Sequence, residues 1–116
     1  MDNLNLDQHI SHRYNEELED LRTRVLNMGG LVEQAIADAA RALVDEDVEL
    51  AEEVRRGDKD IDALEERVNA EATRVIALRA PTAGDLRTVM SVFKISGNLE
   101  RCGDYAKNLA KRTETL

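Results

Sequence analysis

Glu100 and Asp104 are two carboxylates that lie four positions apart near the end of the chain. If this segment is helical, their Cβ atoms lie about 6 Å apart on one face, and like charges there repel by roughly a few tenths of a kcal/mol. A hard cation held between the carboxylates offsets that repulsion, and so does a neighbouring base such as Arg101. Asp58 and Asp62 repeat the same spacing earlier in the chain. The pattern indicates a cation site, although most such pairs in acidic helical proteins are merely solvated.

The four candidate ligands offer only oxygen atoms. Such a set suits Mg²⁺, Ca²⁺, Mn²⁺ or iron better than a structural zinc site, which favours Cys and His. For Asp58 and Asp62 the alternative is a solvated helix flank, and Glu71 is compatible with either role. Cys102 is interpreted as a small buried apolar residue and not as a nucleophile.

No recognised catalytic set is present in the sequence. A Ser-His-Asp arrangement, a Walker-type phosphate loop and a glycine-rich dinucleotide turn are all missing. The Glu-x-x-His pairs of ferritin-like di-iron proteins are missing as well. The sequence therefore predicts a binding protein and not an enzyme, because a metal-dependent hydrolase or oxidase would lack its base or nucleophile.

The acidic pair continues a line of apolar residues along one predicted helix. Steps of three and four define that line, which contains Leu86, Met90, Phe93, Gly97, Glu100 and Asp104. A second line on the same helix contains Val92, Ile95, Leu99, Cys102, Ala106 and Leu109. A solvent-facing stripe would not begin with Leu86 and Phe93. We therefore expect both acidic residues to lie beside neighbouring helices.

Three periodic segments fill almost the whole chain and predict helices over about 9–44, 47–79 and 83–112. Each segment carries apolar residues at steps of three and four, and Pro81 ends the second. Because the connections are short, sequential helices should be antiparallel. The predicted fold class is all-α, an antiparallel three-helix bundle of long helices that is comparable in layout to a spectrin repeat.

Two local patterns refine this prediction. Thr82 with Asp85 resembles a capping box at the start of the third helix. The Gly29-Gly30 pair interrupts the first helix, where each glycine costs about 1 kcal/mol relative to alanine. The pair indicates close approach of another helix or a slight bend, and a hinge stays open as a third interpretation.

Composition excludes several classes of protein. The chain has 116 residues, which favours one domain, and only 3% are aromatic, so the core must be aliphatic. A net charge of −8 disfavours non-specific binding to nucleic acid and docking on anionic lipid. The single cysteine precludes an internal disulfide, and neither a long apolar run nor a signal-peptide pattern is present. We therefore expect a cytoplasmic protein.

Several short motifs together resemble the PhoU family. They are residues 5–11 (NLDQHIS), 28–33 (MGGLVE), 77–83 (ALRAPTA), 85–87 (DLR) and 99–110 (LERCGDYAKNLA). Their order and spacing span the whole chain, and the combination is specific although no single motif is. The resemblance implies a three-helix bundle that usually occurs twice in one polypeptide, so this chain corresponds to one of two repeats.

The resemblance also implies a function. PhoU proteins are negative regulators that keep the phosphate-starvation response off when phosphate is plentiful. They connect the ATPase subunit of a phosphate ABC transporter to a sensor histidine kinase, so membrane association is expected only through protein partners. A lone repeat leaves uncovered the face that meets its twin, so we expect a homodimer, formed directly or by swapping helices. The alternative is a helical oligomerisation module without a metal.

Some PhoU proteins hold iron or zinc clusters on E(D)-x-x-x-D motifs. Glu100 and Asp104 match that motif, and Asp58 and Asp62 match its spacing. The resemblance therefore implies a site for iron, zinc or another divalent cation. Three further signature positions of the family are matched by Asp85, Arg87 and Arg101. The resemblance implies a role in partner binding for them. The structural alternatives are, in the same order, a helix cap, a surface cation and a salt-bridge partner.

Overall fold

The computed structural model describes residues 2–116, with side chains from residue 5 onward. They form three long helices: α1 (Asp2–Asp45), α2 (Val48–Arg79) and α3 (Ala83–Thr115). Short connections make sequential helices antiparallel, and the bundle measures 69 × 20 × 16 Å. The predicted all-α class and antiparallel three-helix bundle are confirmed. None of the helices in this described part is both long and apolar enough to span a membrane.

The first helix differs most from its expected bounds, because it begins at Asp2 and not near residue 9. Every side chain over residues 5–13 is exposed, and packing against the other helices begins at Tyr14. Leu6 and Ile10 therefore face solvent on this segment. Because no side chain over residues 5–13 is buried, the apolar pattern carried no signal for the true start of the helix.

At each of the two connections, the backbone conformation and its hydrogen bonds determine where one helix ends and the next begins. Asp47 caps α2, where its side chain accepts a hydrogen bond from the backbone N–H of Leu50 (3.1 Å). Ala80 ends α2 in the left-handed conformation (φ 42°), and its N–H donates to the carbonyl of Ile76 (3.2 Å). Pro81 follows and cannot continue the helix. The first connection therefore turns the chain from α1 into α2, and the second turns it from α2 into α3.

The predicted capping box at the start of α3 is wrong. The side chain of Thr82 makes no capping hydrogen bond. Asp85 instead accepts a hydrogen bond from the hydroxyl of Tyr14 on α1 (3.0 Å). Burial and, after it, the hydrogen bond to Asp85 raise the pKa of the Tyr14 hydroxyl. The spacing along the sequence suggested Thr82 as the capping partner of Asp85, whereas Tyr14 comes close to Asp85 only in the folded bundle.

The core changes character along the bundle. Near the connection at Pro81 it is built mainly of leucine and valine, namely Leu18, Leu21, Val68, Ala72, Val75, Val89 and Val92. The middle contains Met28, Val32 and Ile61. The other end is mostly alanine, namely Ala39, Ala42, Ala51, Val54, Ala106 and Ala110. Burial of each Leu or Val stabilises the fold by about 1.5–3 kcal/mol, so the end near Pro81 supplies most of the apolar stabilisation.

The buried face of α3 shares Val92 and Ala106 with the second line drawn from the sequence and no residue with the first. It contains Val89, Val92, Ser96, Gly103, Ala106, Ala110 and Thr113. Met90 of the first line and Ile95 of the second are 52% and 45% exposed, so neither line is buried along its whole length. Leu86 is exposed and Phe93 is half-buried. A helix in this bundle has one core-facing arc, and the line that leads to Glu100 is a flank of that arc.

Gly29 and Gly30 lie within the continuous α1, and packing inside the chain does not require them. A Cβ atom at either position would meet no heavy atom of another helix within 4 Å. The predicted close approach is therefore wrong for the helices of this chain. The adjacent Leu26 is 75% exposed, so the surface around the two glycines is open.

A buried carboxylate joins α1 to the end of α2. Glu17 accepts hydrogen bonds from Nε and Nη2 of Arg79 (3.0 and 2.6 Å) and from Nη2 of Arg74 (2.7 Å). Arg74 also donates to Glu71 (2.6 Å), and this hydrogen bond lowers the pKa of the Glu71 carboxyl. Glu71, for which a ligand role was left open, is therefore paired with arginine.

Candidate metal centre

The groove between α2 and α3 collects acidic side chains from both helices. Two contacts define the register of this antiparallel pair. Lys107 Nζ lies 3.4 Å from Asp58 Oδ2, and Ser96 donates a hydrogen bond to Asn69 Oδ1 (3.1 Å). Of the acidic residues between these contacts, those whose charges interact across the groove are Asp62 and Glu65 on α2 and Glu100 and Asp104 on α3. Together with Asp58 they are called the carboxylate cluster below.

Three members of the carboxylate cluster converge. Asp58, Asp62 and Asp104 each place one oxygen within 4.8 Å of the other two. Asp58 is buried, with 4% exposure, whereas Asp104 is half-buried and Asp62 is exposed. The three residues therefore range from a buried position in the bundle to a position exposed to solvent. The structure brings together three of the four residues that the sequence singled out as ligands.

Asp58 has an incompletely satisfied carboxylate. Its Oδ1 is buried and accepts no hydrogen bond from the described residues. Gly103 lies beside this oxygen, and a Cβ at that position would be 3.6 Å from it. A buried acceptor without a partner costs about 1–3 kcal/mol. A cation bound at Oδ1 would remove that cost.

Glu100 extends the acidic face next to Asp104. A hydrogen bond to Asp104, then burial and the charges of neighbouring carboxylates, raise the pKa of Glu100 to about 7. Burial and, after it, nearby carboxylates also raise the pKa of Glu65 and of Asp62. The negative charge of the groove therefore exceeds what its surroundings neutralise, which favours a bound cation.

Glu65 belongs to the carboxylate cluster although the sequence analysis did not select it. Its Oε2 is buried and has no hydrogen-bond partner among the side chains that the structure describes. Asp58, Asp62 and Glu65 follow one another at steps of four and three, which keeps all three on one face of α2. The signal that could have identified Glu65 was therefore present in its spacing.

The carboxylate cluster has dimensions that fit a hard divalent cation. Two oxygens on opposite sides of one ion, each at about 2.4 Å, are about 4.8 Å apart. Asp58, Asp62 and Asp104 offer oxygens that all lie within this distance of one another. Those three residues would hold the ion directly, with Glu100 and Glu65 beside them. The oxygen-only ligand set agrees with Mg²⁺, Ca²⁺, Mn²⁺ or iron.

Two signature residues at the start of α3 lie apart from the carboxylate cluster. Asp85 accepts the hydrogen bond from Tyr14, and Arg87 is exposed, with Nε donating to the carbonyl of Ala83 (3.4 Å). Both positions are about 20 Å from Glu100 along the helix, at 1.5 Å per residue. Asp85 thus joins α3 to α1, and Arg87 presents a cation to solvent.

Lys107, and not Arg101, is the base that forms an ion pair within the carboxylate cluster, and its partner is Asp58. Arg101 is exposed, whereas the ammonium group of Lys107 lies within the carboxylate cluster. Adjacent helical residues point about 100° apart, so Arg101 diverges from Glu100. Residues three apart share a face, so Lys107 stays beside Asp104. Among the side chains that the structure describes, Arg101 forms no ion pair with Glu100 or Asp104.

The comparisons with known proteins agree on one relationship. A family model described as the PhoU domain matches residues 25–113. The phosphate-specific transport system accessory protein PhoU of Serratia marcescens is 48% identical over 111 residues, and that of Escherichia coli (strain K12) is 46% identical. Each match covers 96% of this chain and 46% of the relative. The chain thus spans about half the length of the curated relatives it matches.

Solved structures match to a similar extent. The crystal structure of PhoU from Pseudomonas aeruginosa has a TM-score of 0.84 and 45% identity, over 86% of this chain and 48% of that one. The phosphate transport system regulatory protein PhoU from Streptococcus pneumoniae also has a TM-score of 0.84, at 32% identity, over 89% of this chain and 49% of that one. The three-helix bundle is therefore similar to about half of each solved structure.

Proposed function

Because the chain belongs to the PhoU family, we propose that it is an accessory regulator of phosphate transport. The observation that carries this proposal is an identity of 45–48%, over 96% of the chain, to proteins named phosphate-specific transport system accessory protein PhoU or its homolog. The family match covers residues 25–113 and so includes every member of the carboxylate cluster.

The proposed regulator acts by binding proteins and not by catalysis. Its partners are the ATPase subunit of a phosphate ABC transporter and a sensor histidine kinase, and it keeps the phosphate-starvation response off while phosphate is plentiful. It works in the cytoplasm and reaches the membrane only through these partners. The net charge of −8 supports this mode, because basic protein surfaces are attracted while nucleic acid and anionic lipid are repelled.

We expect a second copy of the chain to cover an open apolar surface. Leu26 and Ile95 are 75% and 45% exposed, and they line one groove between α1 and α3. Gly29 and Gly30 follow Leu26 and leave room for another helix to approach α1. Because the relatives are about twice as long as this chain, a homodimer would supply a second bundle of the same kind.

The regulatory proposal is tested in phosphate-replete bacteria that lack their own full-length relative and carry a reporter of the starvation response. We expect expression of this chain to lower the reporter signal, and the chain to co-purify with the transporter ATPase or the kinase. The full-length relative is the positive control. An unchanged reporter signal, with neither partner recovered, would contradict the proposal.

The carboxylate cluster is proposed to bind iron, zinc or another divalent cation. The convergence of oxygens from Asp58, Asp62 and Asp104 supports this role. The test removes Glu100 and Asp104 together by alanine substitution and measures metal content by mass spectrometry and helicity by circular dichroism. We expect the metal to be lost and the helicity retained.

The matched control replaces another acidic i, i+4 pair on a helix, the exposed Glu49 and Glu53, by alanine. This control should keep the metal content of the unmodified protein. If the double variant at Glu100 and Asp104 also keeps its metal, the proposed metal site is wrong. A chain without metal, and insensitive to change at Glu100, would instead behave as a plain helical oligomerisation module.

A further inference from the structure

One lysine lies inside the carboxylate cluster. Lys107 extends from α3 toward α2, and its Nζ is 3.4 Å from Asp58 Oδ2. Within the part of the chain whose side chains the structure describes, the other four carboxylates of the cluster form no ion pair. Lys107 is therefore the closest positive charge to the buried end of the proposed metal site.

Lys107 can leave this position more easily than the carboxylates can. Its side chain is 36% exposed, whereas that of Asp58 is 4% exposed. A lysine ammonium is a strongly hydrated charge on a flexible four-carbon stem, so rotation about that stem would carry it into solvent. The carboxylate of Asp58, by contrast, is buried beside Gly103 in the helix interface.

The field of Lys107 reaches beyond Asp58. Burial and the neighbouring carboxylates raise the pKa of Asp62, and the charge of Lys107 acts in the opposite direction. The ammonium thus lowers the repulsion in the metal-free groove. A divalent cation placed among the same oxygens would be repelled by it.

We propose that Lys107 is a resident counter-ion of the carboxylate cluster that a divalent cation must displace, so that this residue sets the affinity of the site. The inference rests on the proposed metal-binding role. It predicts two opposite effects from one substitution: without Lys107 the metal-free protein is less stable, and a divalent cation binds more tightly. A lysine with a purely structural role would produce only the first effect.

The test compares the unmodified chain with Lys107→Met after removal of metals by a chelator. Mn²⁺ is the probe, and its dissociation constant is measured by titration calorimetry. We expect the constant to fall about tenfold in Lys107→Met, because one positive charge next to the ion is removed. Thermal unfolding of the metal-free proteins is measured in parallel, and the midpoint should be lower for Lys107→Met.

Three further variants make the result specific. Lys94→Met changes the net charge equally from an exposed position on the same helix, away from the carboxylate cluster, so its affinity should stay within about twofold of the unmodified chain. Lys107→Arg keeps the charge and should not tighten binding. Lys107→Gln removes the charge but stays polar, and it replaces Lys107→Met if the apolar side chain impairs folding.

The outcomes separate this inference from the metal site itself. If the unmodified chain binds Mn²⁺ and neither Lys107→Met nor Lys107→Gln binds more tightly, the role of Lys107 is overturned while the site stands. If Mn²⁺ binds only after Lys107 is replaced, the inference is supported and the proposed metal-binding role of the natural chain fails. If no variant binds Mn²⁺, both are overturned.

Discussion

Asp58 on α2 and Asp104 on α3 place one carboxylate oxygen each within 4.8 Å of the other across the groove between the helices. Two negative charges at this distance repel, and burial of Asp58 strengthens the effect. A divalent cation between them would convert the repulsion into attraction. The proposed function therefore couples stability to cation binding.

A first prediction concerns this coupling at Asp58. Adding Mn²⁺ at about 100 times its dissociation constant should stabilise the unmodified chain by about 2.7 kcal/mol. Asp58→Asn should lose most of that gain, because Asp58 is the buried member of the group. Thermal unfolding with and without Mn²⁺ measures the difference. Asp60→Asn, at an exposed position of α2, is the control and should keep the full gain.

A second prediction concerns pH in the metal-free protein. The pKa of Glu100 in the folded chain, about 7, is above its ordinary value of 4.5, so between these values the folded state binds more protons than the unfolded state. The contribution of Glu100 to the free energy of unfolding should therefore be greatest below about pH 4.5. It should be lost as the pH rises from there through about 7.

Thermal unfolding in the presence of a chelator, from about pH 5 to about pH 8, measures this dependence across the raised pKa. Glu100→Gln should show a weaker decline, because it removes the titrating group and keeps the side-chain shape. If the stability of Glu100→Gln declined with pH as steeply as that of the unmodified chain, the pH dependence would come from other carboxylates.

A third prediction concerns the buried ion cluster near Pro81. Arg79→Met should destabilise the bundle by about 2–4 kcal/mol, because the buried carboxylate of Glu17 loses two of its hydrogen bonds. Urea denaturation measures the change. Arg87→Met removes an exposed arginine of α3 as the control and should be nearly neutral. Equal effects of the two substitutions would show that the cluster around Glu17 adds little stability.

A fourth prediction concerns the open surface of α1. Gly30→Ala should stabilise the isolated bundle by about 0.5–1 kcal/mol, because alanine favours the helix and no neighbouring atom opposes it. The same change should weaken the proposed homodimer, because a methyl group would keep a second copy at a greater distance. Urea denaturation and sedimentation velocity measure the two effects.

Gly57→Ala is the matched control, since position 57 is also inside a helix and has no neighbour within 4 Å of an added Cβ. It should stabilise the bundle to a similar extent without changing self-association. If Gly30→Ala leaves self-association as strong as Gly57→Ala does, the glycines of α1 are not part of a dimer contact.

The sequence predicted what depends on spacing along one helix. Glu100 with Asp104, and Asp58 with Asp62, are local pairs, so their shared faces follow from the helical repeat alone. The three helices were predictable for the same reason, because apolar residues recur at the helical period and Pro81 marks a stop. Metal binding at these residues stays a prediction.

Contacts between distant segments were not predictable in this way. The pairing of Asp58 with Lys107 depends on the register of α2 against α3, which the connection at Pro81 helps to set. The hydrogen bond from Tyr14 to Asp85 likewise joins positions that no local pattern relates. Ile95 belongs to an apolar line of α3 and is nevertheless 45% exposed, because several stripes on a helix can look apolar while only the packed bundle selects which one is buried.

Anomalous diffraction from crystals of this chain grown with Mn²⁺ tests the central claim most directly. The proposal that the carboxylate cluster binds a divalent cation predicts a strong anomalous peak between Asp58, Asp62 and Asp104, about 2.0–2.6 Å from an oxygen of each. A map without a peak at this position, or with Mn²⁺ bound only at other residues, would contradict it.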